Sequence, residues 1–259
     1  MKALNRLTVV IFTLCLIVFS VLAPVSIIIT RDTYYINQFK KSGAYPESGN
    51  VTVRYINGNP SLSASFTKEQ IEELVAHMTD YFGHKKDSYT YKMDNVLING
   101  TLQNGVEIFS SEAASHMDDV RELFDTVRIS TVICGIILAA GGLYMLRKKD
   151  SVRKEIYKWS LGTVIAFFAT AVGFLLFCLI KTAAAGEVSS SAYFEQLWTY
   201  MHHLFFPFSA DKFSGSFFND TTTQLLSLQF FLNTVVTVFI NIIALTAAWL
   251  LSAKLIFKR

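Results

Sequence analysis

Ser110-Ser111-Glu112-Ala113-Ala114-Ser115-His116-Met117-Asp118-Asp119-Val120-Arg121 sets one histidine among acidic residues, just ahead of an apolar run that begins at Val127 and carries a single charge, Arg128, near its start. Glu112 precedes His116 by four residues and Asp119 follows it by three. On a helix, both carboxylates share a face with the imidazole. A carboxylate so placed can fix the imidazole tautomer and raise its basicity. Spacing alone leaves two readings open: a solvated amphipathic turn leading into a membrane helix, or the start of an acid–base site. Either way, one helix carries polar chemistry at its head and apolar residues along its length.

Working outward, three further apolar runs appear. They are Leu7–Ile29, Trp159–Ile180 and Phe230–Phe257, and with Val127–Leu146 they make four. Each is about 20 residues or longer, enough to cross a hydrocarbon core about 30 Å thick. Charged residues are only 17% of the 259-residue chain and hydrophobic ones 52%, which excludes an ordinary soluble domain. The first run is longer than the core of a signal peptide and contains Pro24, so it predicts a retained span with room for a kink. Basic residues fix the orientation. The N-terminus, the 147–158 stretch and the C-terminus together hold eleven lysines and arginines against two acids, Asp150 and Glu155. The remaining segments hold twelve basic residues and eighteen acids. The basic side is therefore expected to be cytoplasmic, with both termini inside and both long loops outside.

The predicted organisation is a membrane protein with four transmembrane α-helices and an extracellular α+β cap formed by two outward loops. Its parts are helix one at 1–30, the cap at 31–126, helix two at 127–146, a cytoplasmic basic loop at 147–158, helix three at 159–180, an aromatic loop at 181–229 completing the cap, and helix four at 230–257. Within the cap, Val51–Ile56 alternates as a strand does, and Asn57-Gly58-Asn59-Pro60 reads as a turn. Thr67-Lys68-Glu69-Gln70 fits a capping box, and Ile71, Leu74, Val75, Met78 and Phe82 then follow a helical period. His77 and His84 on that helix read as solvated. Asn99-Gly100 and Asn104-Gly105 flank Thr101–Gln103 as hairpin turns. The second loop holds ten aromatic residues, three of them within Tyr200-Met201-His202-His203-Leu204-Phe205-Phe206-Pro207. Such a segment either lies flat on the bilayer or walls a pocket at membrane level. Cys15, Cys134 and Cys178 all sit in apolar runs and read as small buried hydrophobes.

These motifs together resemble the bacterial lipoprotein intramolecular transacylases. The likeness rests on Glu112, His116-Met117 and Asp119-Val120, then His202, Phe205-Phe206-Pro207, and the Asp220–Phe231 run into the last helix. It departs from the family where Lys212 and Ser227-Leu228-Gln229 replace a customary tryptophan and proline. The resemblance implies an enzyme of the bacterial plasma membrane. It moves the sn-2 acyl chain of a diacylglyceryl lipoprotein onto the α-amine of the substrate's N-terminal cysteine. Nucleophile and ester belong to one molecule, so no acyl-enzyme is needed, in keeping with the lack of a G-x-S-x-G elbow. On this reading His116 and His202 are the acid–base pair, in either order, and Glu112 and Asp119 support them. Tyr34, Arg121, Tyr200, Phe205 and Phe206 bind substrate. No cofactor, metal or nucleic acid is expected, and the protein is expected to be a monomer in the bilayer. The rival readings are a metal site built from His116, Asp119, His202 and His203, and a non-catalytic sensor or accessory protein with a lipid-facing cap.

Overall fold

The computed structural model describes residues 3–147, 150–184 and 220–257. All four apolar runs fall on long helices. Helix α1 spans Ala3–Ile28 and takes Pro24 near its end. After it come α2 (Asp32–Ser42), β1 (Val51–Arg54), β2 (Ser63–Phe66), α3 (Lys68–Phe82), β3 (Lys92–Met93), β4 (Val96–Ile98), β5 (Thr101–Gln103) and β6 (Val106–Glu107). The chain closes with α4 (Ser111–Leu146), α5 (Asp150–Ala184), the short α6 (Thr221–Leu225) and α7 (Leu228–Phe257). The basic stretch after Arg147 is thus helical from Asp150 onward. The stretch 185–219, with Tyr200, His202, His203, Phe205 and Phe206, lies outside the described residues.

The chain divides into two units. The first combines α1 up to Pro24, α4 from Val127, α5, and α7 from Ile240. Among the described residues, two helical stretches are long and apolar enough to cross a membrane, Leu7–Ile28 and Ser111–Tyr144. Phe12 and Leu16 of α1 pack with Val164 of α5, with Leu138 of α4 alongside. Thr13 Oγ1 donates to Ser160 Oγ at 3.0 Å, so a polar pair is satisfied across the α1–α5 contact. The α4 glycines act unequally: a Cβ on Gly141 would stand 2.8 Å from Phe12, one on Gly135 would stand 3.4 Å from Phe19, and one on Gly142 would meet nothing. Ile129, Val132, Ile136 and Leu143 of α4 point outward, as lipid-facing residues do.

The second unit comprises Val25–Thr126 and the segment up to Phe239. It is an α+β body with a four-stranded antiparallel sheet in the order β1-β2-β4-β5. Alternation puts Val53, Ala64, Phe66, Val96 and Ile98 on the buried face. Asn99 and Gly100, both at positive φ, make the two-residue turn between β4 and β5. The same hairpin continues into the β3–β6 pair, where Lys92 faces Glu107. Helix α3 begins as predicted: Thr67 Oγ1 accepts from Gln70 N–H, and Gln70 Oε1 accepts from Thr67 N–H. Its apolar face of Ile71, Leu74, Val75, Met78 and Phe82 is fully enclosed. Aromatic residues complete the core. Phe230 of α7 lies 5.6 Å from Tyr35 and 5.9 Å from Phe39, ring centre to ring centre.

Candidate active site at the head of helix α4

Three segments hold the start of α4. Ile108 receives Asn57 N–H on its carbonyl at 3.0 Å and donates its own N–H to Tyr91 at 3.0 Å. Gly58, at φ +70, comes so close that a Cβ would touch Ser110 at 3.4 Å. Ser110 caps the helix, its Oγ accepting from Ala113 N–H at 3.1 Å. From the far end of the chain, Asp220 accepts Ser110 N–H at 2.9 Å and Thr222 N–H at 2.8 Å, and Thr221 Oγ1 donates to the Ile108 carbonyl at 2.8 Å. Asp220 and Thr221 are fully enclosed.

His116 follows on the second turn. It is not solvated: only 4% of its surface is exposed, and Ala113 and Met117 beside it are buried. Of the two predicted supporting carboxylates, Asp119 is half-buried, whereas Glu112 is exposed and accepts from Ser111 Oγ at 3.2 Å. Tyr34, predicted to touch substrate, donates its hydroxyl to Thr234 Oγ1 at 2.8 Å, and burial pushes its pKa up.

The opposite face of α4 carries a network that spacing did not reveal. Asp118 accepts the Tyr81 hydroxyl at 2.5 Å, and burial together with that carboxylate holds the phenol far above its usual range. The Arg121 guanidinium lies 4.5 Å over the Tyr81 ring and donates to His84 Nδ1 at 2.7 Å. Because arginine can only donate, His84 Nδ1 is the acceptor and Nε2–H donates to Asp125 at 2.8 Å. One Nη of Arg121 is thus engaged by His84, just past the end of α3. His84 is exposed but pinned, and His77 differs outright from the solvated reading. His77 is 8% exposed, its ring centre is 4.5 Å from that of Tyr91, and its Nε2 lies 3.1 Å from the Tyr89 carbonyl. Burial lowers its pKa. The burial arises because the loop after α3 folds back over that helix, a path that no periodicity announces. Among the described residues, no three His, Cys, Asp or Glu side chains gather as metal ligands would.

Long apolar helices joined to an α+β body match the fold of solved membrane-integral proteins. The structure of the membrane-integral lipoprotein intramolecular transacylase Lit from Bacillus cereus aligns over 100% of this chain and 98% of its own, with a TM-score of 0.65 and 16% identity. The same Bacillus cereus protein bearing a histidine-to-arginine substitution aligns over 98% and 92%, with a TM-score of 0.57 and 14% identity. The family model for the lipoprotein intramolecular transacylase Lit matches residues 9–231, and the chain belongs to this family of membrane acyltransferases. No curated protein matches the sequence.

Proposed function

We propose that this chain moves the sn-2 acyl chain of a diacylglyceryl lipoprotein to the α-amine of the lipoprotein's N-terminal cysteine, leaving the lyso form. The observation that carries the reading is the family match over 9–231, a span that holds both His116 and His202. Burial of His116 at the head of α4 supports it, since a shielded imidazole exchanges protons with bound substrate rather than with bulk water. In this reading the chain crosses the bilayer four times, at 1–30, 127–146, 159–180 and 230–257. Both termini and the 147–158 loop are cytoplasmic. The 31–126 and 181–229 segments form the extracellular cap, and the protein works as a monomer.

The chemistry needs two services. One is folding the substrate so that amine and ester meet, which can remove about 7–11 kcal/mol of barrier. The other is proton movement. An α-amine of pKa about 7.7–8.0 is matched by an imidazole base of about 6.5. One of His116 and His202 takes the amine proton as nitrogen attacks the ester carbonyl. The other gives a proton to the departing glycerol oxygen. Asp119 and Glu112 orient the His116 ring, and Tyr34, Arg121, Tyr200, Phe205 and Phe206 bind the substrate.

The test is mass spectrometry of lipoprotein N-terminal peptides from cells that make only diacyl lipoprotein, after expression of this chain. The expected product has one acyl chain on nitrogen and one on glycerol, and neither His116→Ala nor His202→Ala yields it. Lyso-form peptide from both variants refutes the histidine assignment. An unchanged diacyl peptide with the unaltered chain refutes the reaction.

A further inference from the structure

We propose that Asp220 is a positioning residue for acyl transfer, acting through Ser110 on the helix that carries His116. The inference rests on the acid–base reading of His116 above. A carboxylate with no exposed surface is costly to bury and persists only where donors compensate it. Capping α6 does not account for that cost. The helix is five residues long, and a neutral serine or asparagine would serve its first N–H groups equally well. What a carboxylate adds is a second acceptor oxygen, and that oxygen is the one that receives Ser110 N–H.

Ser110 then passes the constraint on. Its Oγ holds Ala113 N–H, and Ala113 lies three residues before His116, on the same side of the helix. The line therefore runs Asp220, Ser110, Ala113, His116, and all four residues are buried. Thr221 adds a parallel tie to the Ile108 carbonyl. Residues in the closing part of the second loop thus hold the first turn of the helix bearing one proposed catalytic histidine. Displacements of about 1 Å at reacting groups cost on the order of a hundredfold in rate, so a partial loosening of this grip registers in turnover before it registers in folding.

The test uses full-length protein in lipid nanodiscs with a synthetic diacylglyceryl lipopeptide, and follows kcat, KM and thermal unfolding. Asp220→Asn keeps the shape but turns one acceptor into a donor facing another donor. The expected result is a fall in kcat of about tenfold with KM within about twofold. Ser110→Ala, which removes only the link to Ala113, is expected to match it. The double variant is expected to be no slower than either single one, because both break one chain of bonds. Gln224→Ala is the control. It removes the pairing of Gln224 with the Arg54 backbone in the same segment without touching α4. It is expected to lower the melting temperature and leave kcat unchanged.

Wild-type kcat in Asp220→Asn or Ser110→Ala overturns the proposal. So does a Gln224→Ala variant whose turnover drops in step with its stability. If Asp220→Asn fails to accumulate in membranes, Ser110→Ala decides alone, a tenfold loss supporting the proposal and wild-type kcat refuting it. His116→Ala in the same assay separates the two levels. An inactive His116→Ala beside a fully active Asp220→Asn sinks the positioning role only, whereas an active His116→Ala sinks the acid–base reading itself.

Discussion

Neighbouring glycines on α4 should respond oppositely to the same added methyl. At Gly141 a Cβ would lie 2.8 Å from Phe12 Cδ2 and 3.4 Å from Cε2, inside van der Waals contact. Phe12 is 7% exposed and wedged against Leu16 and Val164, so its ring has no free space to turn into. Overpacking of this kind costs about 1–3 kcal/mol. Replacing glycine by alanine in a helix returns about 1 kcal/mol, so Gly141→Ala should be destabilising by about 0–2 kcal/mol. At Gly142 no atom lies within 4 Å, and only the propensity gain of about 1 kcal/mol remains. Thermal unfolding in detergent, followed by tryptophan fluorescence, should therefore rank Gly142→Ala above wild type and Gly141→Ala at or below it. Phe12→Leu should recover part of the Gly141→Ala loss. A Gly141→Ala protein as stable as Gly142→Ala would refute the claim that α1 and α4 meet through this pair.

Three other outcomes are expected. Burial lowers the His77 pKa below its ordinary 6.5, so the unfolded chain takes up the proton first as pH falls. The stability associated with neutral His77 is present above about pH 6.5 and lost below it, and the melting temperatures of wild type and His77→Gln should converge on acidification. Tyr45, whose hydroxyl donates to Glu72 at 2.6 Å, is pushed up to about 12 mainly by that bond. Its contribution holds below the ordinary tyrosine value of 10.0 and disappears as pH rises towards about 12, a decline that Tyr45→Phe should lack in alkaline melts. Phe230→Ala empties a site shared with Tyr35 and Phe39 and should cost about 3–5 kcal/mol, seen as a large drop in melting temperature or in the amount of protein recovered from membranes.

What could be read in advance follows from the range of the forces involved. The apolar runs, the Thr67–Gln70 capping box and the Asn99-Gly100 turn are local patterns, and each forms where the sequence predicts it. Helix α2 was less legible, because Asp32–Ser42 mixes charged and aromatic residues with no long apolar run, yet Tyr35 and Phe39 on it are buried in the core. His77 was misread because the groups that enclose it, Tyr89 and Tyr91, lie in an irregular loop. The three α4 glycines look alike on paper and differ by what each faces: Phe19 for Gly135, Phe12 for Gly141 and nothing within 4 Å for Gly142. At the site, the helix and its histidine were legible. The role of Asp220 was not, because its partner Ser110 stands 110 residues earlier.

Three of the ties described above join the beginning of the chain to its end: Tyr34 to Thr234, Arg54 to Gln224, and Ser110 to Asp220. They span 200, 170 and 110 residues respectively. A ribosome adds about 5–20 residues each second, so the early half of this body waits many seconds for its fasteners. During that interval its sheet edge and aromatic interior lack their last cover, and maturation is completed only after synthesis has passed residue 234. The last of these fasteners can form only once Thr234 has been made, so truncations ahead of it should be cleared by quality-control proteases even though the first two hundred residues are intact.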